Sequence, residues 1–173
     1  MSVEQQARVL KSSLESRWRV KLGSKHAVVS WLVEYSAVLL YRFEVGRDGR
    51  TAFERSKGRK ARTLGVEFGE AVLWKRWPVG GALGKLSCLW EDGIYLGIRG
   101  SSGELVVSNA KGVRRTRTIQ RKPLQDRWKA EGIELIKWVP WAAKEDEVNV
   151  GTERSEITKT MEPEVEFERN QEA

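Results

Sequence analysis

The residues best equipped for chemistry in this 173-residue chain are its cations, and they come in files. The run "GVRRTRTIQRKP" carries Arg114, Arg115, Arg117, Arg121 and Lys122. Read as one strand, it sets Arg115, Arg117 and Arg121 on one face and Arg114 and Lys122 on the other. Cations at every second position can follow a phosphate backbone. Each neutralised phosphate releases counterions and makes binding salt-dependent. A second run, Lys57, Arg59, Lys60 and Arg62, falls where the chain reads as a linker and is a candidate phosphate clamp. Both runs also have a plain structural explanation, because edge strands often carry charge that keeps them soluble and linkers are solvated. Neither run points to base-specific readout. Arg47 and Arg50 read as turn charges.

The overall balance favours polyanion partners. The formal net charge is +7, but it is unevenly spread: residues 142–173 hold ten acids and four bases, leaving +13 on residues 1–141. A basic body with an acidic tail is a common layout among proteins that meet polyanions.

Other chemistries fail on inventory. The lone histidine, His26, opens a helix, and the lone cysteine, Cys88, lies in the apolar run "KLSCLW", where packing suits it better than reaction. One cysteine forms no intramolecular disulfide. No set of His, Cys and carboxylates shows metal-ligand spacing. "GALGK" at Gly81–Lys85 lacks the full pattern of a phosphate-binding loop. There is no signal-peptide pattern and no apolar run of about 18 residues that would span a membrane. An intracellular, reducing setting fits, with no membrane partner.

The elements that must position these cations begin with a helix over Val3–Trp18, where Val3, Ala7, Leu10 and Leu14 recur at helical spacing. Gly23 ends that region, and Ser24 is a plausible cap for a second helix from Lys25 to about Phe43. This helix is apolar nearly all round and should be buried on most faces. It looks built to pack on something larger, either a missing segment or a second copy. "EVGRDGRTAFERSKGRK" follows, with a Gly-x-Asp-Gly turn and a capping box from Thr51 to Glu54. Thr51 to about Lys57 is then a short helix anchored by Phe53 and closed by Gly58.

From Glu67 the period changes to two. "EFGEAVLWKRW" reads as a strand, "LSCLWEDGIYLGIRG" as two strands meeting at Glu91-Asp92-Gly93, and "GELVVSNAKGVRRTRTIQRKP" as two more joined at Asn109–Gly112. Five short strands with Gly- and Asp-rich turns predict a small antiparallel barrel of the SH3 type. Pro123 ends it, Leu124–Ala130 reads as a short helical turn, and "IELIKWVPWAA" as an apolar segment folding back on the barrel. From Lys144 onward the composition predicts disorder.

The ordered series of two helices, a Gly/Asp turn, "TAFERSKGR", "FGEAVLW", "WEDGIYLGIRG" and "GVRRTRTIQRKP" resembles the end of an integrase from the Pol polyprotein of LTR retrotransposons. The resemblance runs from about Val3 to Trp141. "GRDGRTAFERSKGR" is similar to the family's segment closing the RNase H-like catalytic core, "FGEAVLW" to the opening strand of its C-terminal barrel, and "GVRRTRTIQRKP" to its last strands. The resemblance implies DNA binding within integration, and the absent core would be the partner of the apolar helix. It also implies that the full-length family uses Mg or Mn, held by three acids, to activate the attacking oxygen. By that alignment the third acid falls just before Met1 and the two Asp residues lie on strands not present here. Glu4 and Glu15, the only acids on the first helix, lie too far along it. No catalytic residue is therefore carried over, and no cofactor is expected in this chain.

The expected fold is thus α+β. It comprises a helical remnant of an integrase core over residues 1–62, an SH3-like antiparallel β-barrel with its extension over 63–141, and a disordered acidic tail over 142–173. The expected partner is DNA, contacted through its backbone in an intracellular, nuclear setting. A different class is a chromatin-reader-like barrel that binds a histone tail through an aromatic cage at the barrel mouth, which Tyr95 could join; Trp74 and Trp90 read as buried packing, and Trp77, beside a Pro-Val-Gly-Gly loop, as exposed.

Overall fold

The computed structural model describes residues 1–63, 65–76 and 88–142. Trp77, Gly81–Lys85 and the acidic segment from residue 143 onward lie outside the described residues.

Helix α1 spans Val3–Trp18 as its periodicity predicts. A capping box starts it: the Gln5 N–H donates to Ser2 Oγ (3.2 Å), and the Gln5 carboxamide accepts from the Ser2 N–H (3.0 Å). Its end is a left-handed Arg19. The chain then turns under Glu15, whose carboxylate accepts from the Leu22 N–H (2.9 Å) and pairs with Lys21 (3.1 Å).

Helix α2 runs Ala27–Phe43, two residues shorter at its start than the sequence predicts, because His26 and not Ser24 is the cap. The imidazole Nδ1 accepts from the Val28 N–H (3.2 Å). Burial pushes the imidazole below its ordinary pKa, which keeps that nitrogen an acceptor. Within the described residues α2 packs on α1, the sheet and the 3₁₀ turns after Pro123, which bury Val28, Trp31, Leu32 and Ser36. The burial on most faces that its composition predicts is not reached, and Val33 and Phe43 stay exposed.

The Gly46–Gly49 turn and helix α3 (Ala52–Lys57) form as expected. Thr51 and Glu54 complete the capping box (3.1 and 2.8 Å), Gly58 closes the helix at φ +67°, and Phe53 is buried.

Five antiparallel strands follow: β1 (Ala71–Lys75), β2 (Trp90–Ile98), β3 (Leu105–Asn109), β4 (Gly112–Thr116) and β5 (Ile119–Arg121). They form one sheet in the order β4-β3-β2-β1-β5. β4 and β5 are its two edges and do not pair with each other, so the sheet is open rather than a closed barrel.

The first strand starts at Ala71 rather than Glu67, because the chain turns at Phe68-Gly69 before it. Two further strand readings differ. Glu91-Asp92-Gly93 is no turn but the first half of a single nine-residue strand, β2. Asp-Gly is turn chemistry when Gly is needed for positive φ. Here Gly93 lies in the strand opposite Val72, and a Cβ on it would meet the Trp74 indole at 3.0 Å. It is a glycine because an aromatic ring occupies the space of its side chain. The second difference is that "GVRRTRTIQR" is two strands. Thr116 breaks the run: its Oγ1 accepts from the Thr118 N–H (3.2 Å) and donates towards the Lys75 carbonyl (3.1 Å).

One apolar core joins helices and sheet across the expected boundary at residues 62/63. Leu14, Trp18, Val28, Trp31 and Leu32 from the helices pack with Phe68, Ile94, Leu96 and Val113 from the sheet region. Ile133 and Ile136 enter the same core, so the segment after Pro123 does fold back, through three short 3₁₀ turns (Leu124–Asp126, Ala130–Leu135 and Pro140–Ala142). The Trp31 indole fastens it by donating to the Trp138 carbonyl (2.6 Å).

Candidate nucleic-acid interface

The split of the basic run sends its cations to opposite edges of the sheet. Arg114 and Arg115 are half-buried on β4, opposite Val107 and Val106. Arg121 is on β5, beyond β3, β2 and β1. The single face expected to carry Arg115, Arg117 and Arg121 does not form, because strand alternation holds only within one uninterrupted strand.

Several of these cations are committed to acids. Arg121 donates twice to Glu70 (2.6 and 2.9 Å), and Arg127 stands 3.4 Å from the same carboxylate. Glu70 has no exposed surface, and it also accepts the Glu67 N–H (3.1 Å). These hydrogen bonds raise the Arg121 guanidinium above its already high pKa. A buried carboxylate needs such partners, since an uncompensated buried charge is among the costliest defects in a fold. Lys122 pairs with Asp92. Arg117 reaches Glu104 only loosely, at 3.9 Å, and is well exposed.

The linker cations are disposed differently. Lys57, Arg59, Lys60 and Arg62 are all exposed, and Lys57, Lys60 and Arg62 form no ion pair among the described residues. Local geometry holds this connector in place. Arg42, near the end of α2, donates to the Arg62 carbonyl (3.2 Å) and lies 5.1 Å from the Phe53 ring centre, while Arg59 lies 5.7 Å from the same ring. The ring of Phe53 is thus flanked by two guanidinium groups, and the charges beside it project from a fixed base. Arg55, by contrast, is tied to Asp48 (2.7 and 2.9 Å), and that bidentate bond holds the Asp48 carboxyl well below the usual carboxylate range. Arg47 and Arg50 sit exposed around this turn.

The sequence reading missed Glu70 and Arg42. An acid inside the apolar "FGEAVLW" was a signal that a cation must be bound there. Arg42 gave none, since one charge at the end of an apolar helix is ordinary.

Among the described residues no exposed aromatic cage forms around Tyr95, which is buried with Val72, Leu105 and Val107 and whose hydroxyl burial pushes up. Trp74 is buried in the same cluster, as its packing role predicts. Trp90 is half-buried, and Trp77 is outside the described residues. Cys88, expected to pack, is exposed, with its thiol directed at the Trp90 carbonyl (3.2 Å). Glu4 is paired with Arg8 at the surface, and Glu15 accepts from the Leu22 amide and pairs with Lys11 and Lys21. No cluster of three or more metal-ligating side chains occurs among the described residues.

Comparison with protein-family models, with curated proteins and with solved structures finds no match to this chain.

Proposed function

We propose that the chain is a DNA-backbone-binding module, the C-terminal part of a retrotransposon integrase without catalytic acids of its own, working where chromosomal DNA is met. The observation that carries this reading is the connector: Lys57, Lys60 and Arg62 are exposed and form no ion pair among the described residues, and the segment they stand on is tied to Arg42 at the Arg62 carbonyl and to Phe53 through Arg59. The ordered motif series from Val3 to Trp141 supports the integrase reading. The strand order supports an SH3-like, half-open barrel, in which a long, bulged β2 serves both halves and the Thr116 hydroxyl bridges the gap near Lys75. Arg117 and the two half-buried arginines of β4 then form a secondary contact at one sheet edge.

The test is equilibrium binding to a random-sequence duplex across a salt series. Replacing Lys57, Lys60 and Arg62 by Gln should weaken binding and reduce the log–log salt slope by about 0.9 for each lost phosphate contact. Unchanged affinity and slope in that variant would overturn the proposal.

A further inference from the structure

The body of the chain uses its acids locally. Glu70 serves Arg121 and Arg127, Asp92 serves Lys122, Glu91 serves Arg76 and Asp126 serves Lys129. Among the described residues none of them lies at ion-pair distance from Lys57, Lys60 or Arg62, and Lys60 meets the field of Glu54 only at longer range. The chain's densest acid supply is residues 143–173, with ten acids against four bases. Within it, "EPEVEFE" places Glu162, Glu164, Glu166 and Glu168 at every second position. In an extended chain such residues face the same way and recur about every 6.6 Å. Such a conformation would offer an evenly spaced file of negative charge, as a phosphate backbone does.

Reach permits the encounter. Trp138 is held beside Trp31, and Arg62 is held beside Arg42. Trp31 and Arg42 are eleven residues apart on α2, about 16 Å along its axis. Glu162 lies twenty residues past Ala142, a tether that extends to as much as about 66 Å.

We infer that the segment Glu162–Glu168 docks on Lys57, Lys60 and Arg62 of its own chain as a phosphate mimic, and that a polyanion must displace it. This deepens the proposed function and rests on the same surface. Docking is competitive, so it lowers apparent affinity for weak polyanions and leaves long duplexes, which offer more charge, less affected.

The experiment compares the full chain with a variant in which Glu162, Glu164, Glu166 and Glu168 are all changed to Gln. Lysine acetylation rates are read residue by residue by mass spectrometry, with no nucleic acid present. The expected result is a several-fold faster reaction of Lys57 and Lys60 in the variant at low salt, with the exposed Lys25 and Lys137 unchanged. The difference should vanish near 1 M salt, where the screening length falls to about 3 Å. Equal rates at Lys57 and Lys60 in the two proteins would overturn the inference. So would an equal rise at Lys25 and Lys137, or protection that fades on dilution, which would assign the contact to a second copy. Because the labelling needs no DNA, a chain that shows the protection yet binds no duplex would keep this inference and lose the proposed function.

Discussion

Arg121, on the outermost strand of the sheet, donates two hydrogen bonds to Glu70, a carboxylate with no exposed surface. The strand is three residues long and pairs only with β1, so this ion pair is a main fastening of that edge. Arg121→Ala should cost about 3 kcal/mol of stability, the low end for breaking a buried pair, because Arg127 remains beside the same oxygen. Changing Glu70 and Arg121 together to Leu should recover most of that loss in urea unfolding. A single-substitution cost under about 0.5 kcal/mol, the level of a surface pair, would contradict this role. A charge reversal that includes Arg121 therefore reports folding before it reports DNA binding.

Helix α3 carries Lys57 and stands on its cap. Thr51→Ala removes the hydroxyl that accepts the Glu54 N–H and should cost about 1 kcal/mol. Thr51→Ser, which keeps the acceptor, should cost much less. Thermal unfolding of the three proteins checks the order.

Gly69 adopts φ +83°, and a Cβ there would come within 2.4 Å of the Leu14 side chain and 3.0 Å of Trp18. Gly49 has a similar φ, +74°, but open space around it. Both alanine variants carry left-handed strain of about 1–2 kcal/mol, and only Gly69→Ala adds a clash that pushes α1 off the sheet. Gly69→Ala should be clearly the less stable of the two, and equal stabilities would show that α1 moves freely.

Glu15 gives the α1–α2 connection an acid-sensitive tie. The Leu22 amide, then Lys21, hold its carboxyl below the ordinary value of 4.5. A lowered folded pKa means the contribution is complete above the unfolded value and is lost as pH falls through the folded one. The stability difference between the chain and Glu15→Gln should be constant above about pH 5 and shrink below it. A difference that persists unchanged at about pH 3 would show that the charge of Glu15 plays no part.

Local signals read well from sequence, and non-local ones less so. α1 was legible from the helical spacing of its apolar residues, and the Thr51–Glu54 box because a cap is written within four residues. The turn at Asn109–Gly112 was legible for the same reason, as the Asn109 side chain accepts both the Lys111 and Gly112 amides. Gly93 misled because its reason for being glycine is Trp74 on the neighbouring strand. The basic run misled because the break at Thr116 depends on Lys75, more than forty residues away. That the residues around Trp138 return to the apolar α2 was not legible, since nothing local to either segment names the other. Of the candidate site, the cations themselves were legible, but not which of them the fold neutralises.

The shared core and the Arg42–Arg62 tie have a consequence for recognition. The connector is held at its start by α3, near its end by Arg42, and beyond that by Gly69 packed on α1. On the proposed reading, contacts that form when the chain folds leave less freedom to be lost when a polyanion binds. Such a surface would then select by the spacing of a ligand's charges and take no notice of the bases that hang from them.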